Sequence, residues 1–377
     1  MQVFRSSAID TATVSAVLAP NASEMLARLT NDMAVGLPVV LQGAQGAVLV
    51  ALIETLTENR LAALMALGRA ELVLTEGRAR ALGIEAEVAG QKVLRVDLPE
   101  SFGLGQLKAA AGQGADAAAQ PEEMRQAGPA AQLHEAAVAL AKSAEMLPAL
   151  LLVRPDPLQA EAGDLGLSAM KAKDVLDCLA HERRLSNVSS APLPMAVSDL
   201  GQVHVFRTDN RREEHYAIEF GTPDPAQPVT VRLHSACFTG DVLASQKCDC
   251  GPQLNGAMRA MAQTGGILLY LNQEGRGIGL ANKMRAYRLQ DAGLDTVEAN
   301  HWLGFDDDER DFRLGARMLH RLGIRRVRLM TNNPAKIAIL SSQGIEVVER
   351  VPLHTPQTSC NARYLATKAA KSGHLMP

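Results

Sequence analysis

Aromatic residues make up only 3% of this 377-residue chain, with one tryptophan, four tyrosines and seven phenylalanines. The cores must therefore rest on aliphatic side chains, and a hydrophobic content of 47% supplies enough of them for two domains. The scarcity also singles out Tyr287 and Trp302, which stand inside motifs. A net charge of -3 gives no global attraction to nucleic acid or to an anionic membrane, so any phosphate site has to come from a local cluster. No run of about 18 apolar residues suggests a membrane span. The opening MQVFRSSAIDTATVSAVLAP lacks a basic region followed by a long apolar core and does not read as a secretory signal. Cysteine is sparse, at five, and Cys178 and Cys360 stand alone, as packing or exposed residues.

The other three cysteines are not scattered. VRLHSACFTGDVLASQKCDCG, from Val231 to Gly251, holds Cys237, Cys248 and Cys250. Three thiolates this close suggest zinc, which prefers four ligands; three protein ligands leave one position for water. A closed structural site would want a fourth Cys or His from a second paired motif, and none stands at the expected spacing. The odd count points to a catalytic zinc, and thiolate ligands fit a reducing cytoplasm. The alternative is three buried or redox-active thiols.

Along the chain, GLPVVLQGAQGAVLVALIE from Gly36 reads as two strands around a turn. Thr57–Leu67 and Glu76–Leu82 have helical spacing, with ELVLT a short strand between them. Gly103–Ala131 is rich in Ala, Gly and Gln and reads as a mobile loop or linker. LHEAAVALAKSAEML reads as a helix, PALLLVRP as a buried strand, and Ser168–Arg184 as a helix with Ser168 as N-cap. The Ser- and Pro-rich SNVSSAPLPMAVSD marks a boundary, giving domains over 1–185 and 200–377 with a linker over 186–199. In the second domain VHVFR, HYAIEF and PVTVRLH are expected to form an antiparallel sheet. An α/β half follows, from strand GILLYL through RVRLM to IEVVER. The fold class is α/β (mixed α+β), with an N-terminal α/β domain.

HSACFTGD followed by CDCGPQL resembles the zinc motif of GTP cyclohydrolase II. The resemblance runs on through LYLNQEGRGIGLANKMRAYRLQD, DTVEANHWLGFDDDERDF, TNNPAK and the terminal KSGHL, covering about Gly201 to the C-terminus. It implies the first enzyme of riboflavin synthesis, which opens the imidazole ring of GTP and releases formate and diphosphate. It implies Cys237, Cys248 and Cys250 as zinc ligands, and Asp308 as proton acceptor. Arg310 is implied to attack or stabilise the α-phosphoryl group, and Tyr287 to be a catalytic tyrosine. Arg232, His234, Gln253, Glu274, Arg276, Thr296, Thr331 and Lys336 match GTP-binding positions, with Mg2+ riding on the triphosphate and a homodimer as the assembly. The chain departs from the family in having Ala236 where Glu is usual and Lys247 where Arg is common.

The N-terminal GLPVVL and LMALGRAELVLTEGRARALGI resemble 3,4-dihydroxy-2-butanone 4-phosphate synthase. That family carries an acidic cluster after its first strand, whereas QGAQGAVLVA here has no carboxylate before Glu54. A hard-metal site needs oxygen ligands, so this domain reads as a degenerate relative without that activity. Two other readings of the whole chain remain: a cyclohydrolase that stops at a formylated intermediate or serves another pathway, and a nucleotide-binding regulator without turnover.

Overall fold

In the computed structural model, residues 17–88, 90–99, 102–114, 121–156, 165–181, 184–208 and 213–353 are described. Cys360 and the terminal KSGHL lie outside them.

The first domain is built on a seven-stranded sheet in the order β5-β4-β3-β6-β2-β1-β7. Its strands are β1 (Val39–Gly43), β2 (Gly46–Leu52), β3 (Gly68–Thr75), β4 (Val93–Asp97), β5 (Arg125–Gln126), β6 (Ala149–Pro155) and β7 (Ala169–Lys171). All neighbours are antiparallel except β1 and β7. The apolar run of β6 is explained by burial on both faces. Leu151 and Val153 join one core with Leu72, Leu74 and Leu94, while Leu150 and Leu152 join the opposite one with Val39 and Leu41. Helices α2 (Glu58–Met65), α3 (Glu76–Ala81) and α4 (Leu104–Ala110) cover the first face; α1 (Ala22–Ala34), α5 (Gln132–Ser143) and α6 (Ala172–Ala180) cover the second.

Two sequence expectations are corrected here. Within Gly103–Ala131, read as a mobile loop, α4 buries Leu104, Leu107, Ala109 and Ala110. Alanine offers little area but is the best helix former, so a low-hydrophobicity stretch still docks closely on the sheet. Ser168 does not cap a helix: its hydroxyl donates to Asp32 at 2.6 Å, and Ala169–Lys171 instead forms β7 beside β1 before α6 starts.

The second sheet runs β14-β13-β11-β12-β10-β9-β8. It comprises β8 (Leu185–Pro192), β9 (Gly201–Thr208), β10 (Glu214–Phe220), β11 (Val229–Ser235), β12 (Gly266–Leu271), β13 (Arg326–Met330) and β14 (Glu346–Val351). The segment expected to link the domains thus begins as an edge strand, β8, paired with β9. β8, β9, β10 and β12 are antiparallel, as expected for β9 and β10, but β11 is not part of that set. It lies parallel between β12 and β13. The reason is its connection: α8 (Cys250–Thr264) packs Ala257 and Met261 over the sheet and carries the chain back to start β12 alongside β11. From β12 the chain passes through α9 (Gly279–Asp291), α10 (Thr296–Trp302) and α11 (Arg313–Arg321), then returns on the far side of β11 as β13. α12 (Pro334–Ser342) completes the fold, and α7 (Phe238–Asp241) is a single turn after β11. This reversal of direction opens a crevice at the carboxyl ends of β11 and β12, the usual ligand position in such sheets.

The two domains meet along α9 and α10. Leu147 of the first domain packs with Ile278, Ala286, Ala299, Leu303 and Phe305. Glu54, the first carboxylate after β1, holds Arg285 at 2.6 Å and accepts the Leu147 amide at 2.8 Å. Arg78 is buried: it donates to the Ala109 and Ala110 carbonyls that end α4, and its guanidinium lies 4.1 Å from the Trp302 ring centre.

Candidate active site

β11 delivers Ser235 and then Cys237 to the crevice, and β12 delivers Gln273 and Glu274. The sulfurs of Cys237, Cys248 and Cys250 all lie within 4.8 Å of one another. Cys237 and Cys248 are 3.6 Å apart, near the ~3.8 Å edge of a tetrahedron with ~2.3 Å zinc–sulfur bonds. Soft thiolates on three corners suit zinc and leave the fourth open. Contact with the other two thiols, helped by Lys283, pulls the Cys237 thiol far down, and that thiolate in turn pushes Cys248 up. One negative charge forms readily and a second, on Cys248, resists, so a cation is what would hold the thiols ionised together. The donor set and spacing therefore fit a metal.

The cluster is close-packed by glycine. A Cβ on Gly240 would fall 3.1 Å from the sulfurs of both Cys237 and Cys248, and one on Gly251 would fall 2.2 Å from the Gly240 carbonyl oxygen. The start of α8 is thereby pressed onto α7.

Beside the thiols, QEGRG turns through two successive left-handed residues, Gly275 at φ 62° and Arg276 at φ 64°. Arginine rarely adopts this conformation, and here it aims the guanidinium at the Asp307 carbonyl, 3.2 Å away. Glu274 accepts from the Phe238 amide at 2.5 Å, the Gly275 amide at 2.9 Å and Lys283 Nζ at 2.8 Å. Three of roughly four carboxylate acceptor positions are thus engaged internally. The amino end of α9 faces a carboxylate. Glu145 of the first domain sits so close that a Cβ on Gly279 would be 2.6 Å from its Oε2, and negative charge is favourable at a helix amino terminus.

α9 divides its side chains between the domain interface and the crevice. Asn282 donates to the Glu145 carbonyl at 2.8 Å, next to the Arg285–Glu54 pair. Lys283 and Tyr287, four residues apart, turn the other way. Lys283 Nζ lies 3.0 Å from both Cys237 Sγ and Thr239 Oγ1. Burial alone would lower its pKa, but Glu274 and Cys237 outweigh burial and raise it, making Lys283 a fixed cation beside the thiols. Burial pushes the Tyr287 phenol up to about 12, so it is a proton donor at neutral pH. Lys247, which stands where the resembled family commonly has Arg, pairs with Asp291 at 2.5 Å and lies 5.1 Å from the Tyr287 ring centre.

The acidic run forms a loop over the crevice. Arg310 grips Asp308 with two bonds, Nε to Oδ1 at 2.7 Å and Nη2 to Oδ2 at 2.6 Å, and reaches Ser235 Oγ at 3.2 Å. Burial would raise the Asp308 pKa, but the Arg310 guanidinium wins and holds it below the usual carboxylate range.

Cys237, Cys248, Cys250, Glu274, Arg276, Tyr287, Thr296 and Arg310, all singled out from the sequence, line one cleft, with Ala236 in its wall. Its cavity volume is about 90 Å³. A larger cavity, about 1160 Å³, lies between the domains and away from the thiols.

Asp308, Arg232, His234, Gln253, Thr331 and Lys336 are not among the cleft's lining residues, Asp308 meeting it through Arg310. Arg232 is buried, donates to Gln253 Oε1 at 2.6 Å and to the Met330 carbonyl at 3.2 Å, and burial lowers its pKa to about 10. Its Nε has no hydrogen-bond partner among the described residues. His234 is also buried, which lowers its pKa, and it meets Asp241 at 3.0 Å. Asp241 also accepts from the Tyr270 hydroxyl at 2.9 Å and the Cys237 amide at 3.0 Å, so it fixes the first thiol's backbone. Thr331 is buried directly after the carboxyl end of β13, and Lys336 donates to the Leu233 carbonyl at 2.8 Å. Sequence reasoning missed Lys283, Asp241 and Ser235. The i, i+4 spacing of Lys283 and Tyr287 was the one available signal.

The site defines a class: a protein with a three-thiol centre able to hold a metal, set in a polar cleft. Residues 186–352 match the family model described as GTP cyclohydrolase II. A GTP cyclohydrolase-2 of Azospirillum brasilense is 40% identical over 97% of this chain and 98% of its own. One from Azotobacter vinelandii is 54% identical over 50% of this chain and 89% of its own. The chain belongs to the GTP cyclohydrolase II family. A solved two-domain 3,4-dihydroxy-2-butanone 4-phosphate synthase from A. baumannii aligns over 88% of this chain and 99% of its own at 18% identity. Its TM-score of 0.32 is too low to decide anything about either domain.

Proposed function

We propose that this protein hydrolyses GTP to 2,5-diamino-6-hydroxy-4-(5-phosphoribosylamino)pyrimidine, formate and diphosphate, the first step of riboflavin biosynthesis. The observation that carries the proposal is the convergence of three thiols, Tyr287 and Arg310 on one cleft. Zinc on Cys237, Cys248 and Cys250 would supply a Lewis acid and a bound water of lowered pKa. The chain's own residues do the rest. Glu274 exchanges an internal donor for the guanine NH groups. Tyr287, neutral at working pH, gives its proton to the ring nitrogen that leaves.

Arg310 is paired bidentately with a carboxylate, which favours its protonated form. A protonated guanidinium is no nucleophile, so Arg310 stabilises charge at the α-phosphoryl group rather than attacking it. Asp308 accepts a proton once substrate has drawn Arg310 away. Arg276 and Thr296 hold the nucleotide, while Arg232, His234, Gln253, Thr331 and Lys336 set the back wall of the crevice. Mg2+ arrives with the triphosphate as part of the substrate. The enzyme works as a cytoplasmic homodimer, and its first domain, whose β1–β2 turn, Gly43–Gly46, holds no carboxylate and whose Glu54 is engaged by Arg285, is non-catalytic.

Formate, diphosphate and the pyrimidine are to be measured together from GTP. Equal amounts of all three are the expected result. Diphosphate without formate would identify an enzyme that stops at a formylated intermediate. Neither product would overturn the proposal.

A further inference from the structure

The loop that carries Asp308 and Arg310 is held from two sides. On the catalytic side it is docked on the glycine-rich turn. The Glu309 amide donates to the Arg276 carbonyl at 2.9 Å, and the missing Cβ of Gly277 leaves room for Glu309, whose carbonyl carbon would be 2.8 Å from it. On the opposite side the support comes from the first domain. Lys142, in the last turn of α5, places its ammonium 2.7 Å from Glu309 Oε1 and 2.9 Å from Asp306 Oδ2. Glu309 Oε1 also accepts the Asp306 amide at 2.8 Å, so one ammonium closes the loop on itself. Behind this contact lies the interdomain cavity of about 1160 Å³, lined by both Lys142 and Asp306. The loop is therefore not backed there by a packed wall, and the lysine bridges the domains along the edge of an opening. Lys142 and Glu309 are mostly shielded, with side-chain exposures of 18% and 17%. Their attraction is thus less screened than that of a surface pair.

We propose that Lys142 is a positioning residue: through Glu309 and Asp306, the non-catalytic domain fixes the loop so that Arg310 meets the phosphoryl end of the substrate. This rests on the assignment of Arg310 above. An angular error of the loop costs rate rather than ground-state binding, because the guanidinium is needed where charge develops.

The test uses the full-length protein. Lys142→Ala should lower kcat about tenfold, measured as diphosphate release, with KM for GTP, zinc content and melting temperature little changed. Lys142→Arg, which keeps the cation, should recover most of the rate. Glu309→Gln should reproduce the loss from the other partner. The double variant Lys142→Ala/Arg310→Ala should be no slower than Arg310→Ala, because a positioner has nothing left to position. Wild-type kcat in Lys142→Ala, beside a slow Arg310→Ala, would overturn the inference and leave the site assignment standing. A double variant slower than Arg310→Ala by the full Lys142→Ala factor would also overturn it, since the lysine would then act elsewhere. A wild-type rate in Arg310→Ala would instead sink the site assignment, and the inference with it.

Discussion

Gly240→Ala tests whether the three thiols are a metal centre, without touching any of them. The new methyl carbon would lie 3.1 Å from Cys237 Sγ, 3.1 Å from Cys248 Sγ and 3.0 Å from Cys250 Cβ. Ordinary non-bonded contacts of this kind sit near 3.5–4.0 Å, so the sulfurs must give by about 0.4–0.9 Å. A zinc site tolerates about 0.2 Å in its bond lengths. Overpacking of this size costs about 1–3 kcal/mol. If the strain falls on the metal-bound geometry, zinc affinity drops roughly 5- to 150-fold. The backbone does not confound the experiment, because residue 240 lies in the turn of α7, where alanine is favourable. Chelator competition should show the weaker affinity, and formate release should fall in step at limiting zinc and recover with excess. Gly105→Ala is the control: nothing lies within 4 Å of its added carbon, so zinc binding should be unchanged. Zinc affinity within twofold of wild type in Gly240→Ala would refute the reasoning.

Arg310→Ala should slow the reaction about a hundredfold, on the order of 3 kcal/mol of lost charge stabilisation, with zinc content normal. Formate and diphosphate assayed in parallel show whether both products or only diphosphate is lost; wild-type rates of both would remove Arg310 from catalysis. The full-length protein should not convert ribulose 5-phosphate to a four-carbon product, and detectable turnover would mean that the first domain has been misread. Glu71 gives a pH signature. Burial would raise its pKa, but His134 and Arg95 outweigh burial and lower it from 4.5 to about 2. Its contribution is therefore present above about pH 4.5 and is lost as pH falls towards about 2, on the order of 3 kcal/mol in all. Glu71→Gln should flatten the wild-type loss of melting temperature across that window, and an unchanged acid limb would rule the pair out as its source.

What was legible in the sequence was whatever is carried by local pattern. HSAC and CDCG announced a thiol cluster because zinc chemistry needs those side chains and tolerates few substitutes. PALLLVRP announced a buried strand because its stretch from Ala149 to Val153 carries no polar residue. What was not legible depends on distant partners. Gly103–Ala131 looked like a linker by composition, since nothing local says that β3 and β4 offer Leu107 a dry surface. β11 looked like the third member of an antiparallel set, because strand direction is decided by where α8 returns the chain. Glu54 entered the sequence reading only as the first carboxylate after β1, because its partner Arg285 lies in the other domain. Lys283 passed as one more cation on a helix until the fold brought Cys237 and Glu274 to its ammonium.

The division of α9 bears on how this enzyme can be re-engineered. Asn282 and Arg285 answer to the first domain while Lys283 and Tyr287 answer to the chemistry, all within two turns of one helix. A chimaera cut just ahead of β8, near residue 184, would keep both sheets whole and still leave half of α9 addressed to a missing neighbour. A donor domain grafted in front would have to bring its own equivalents of Glu54 and Glu145. The seam that matters for recombination runs along the side of a helix, about a hundred residues downstream of the place where the two sequences are joined.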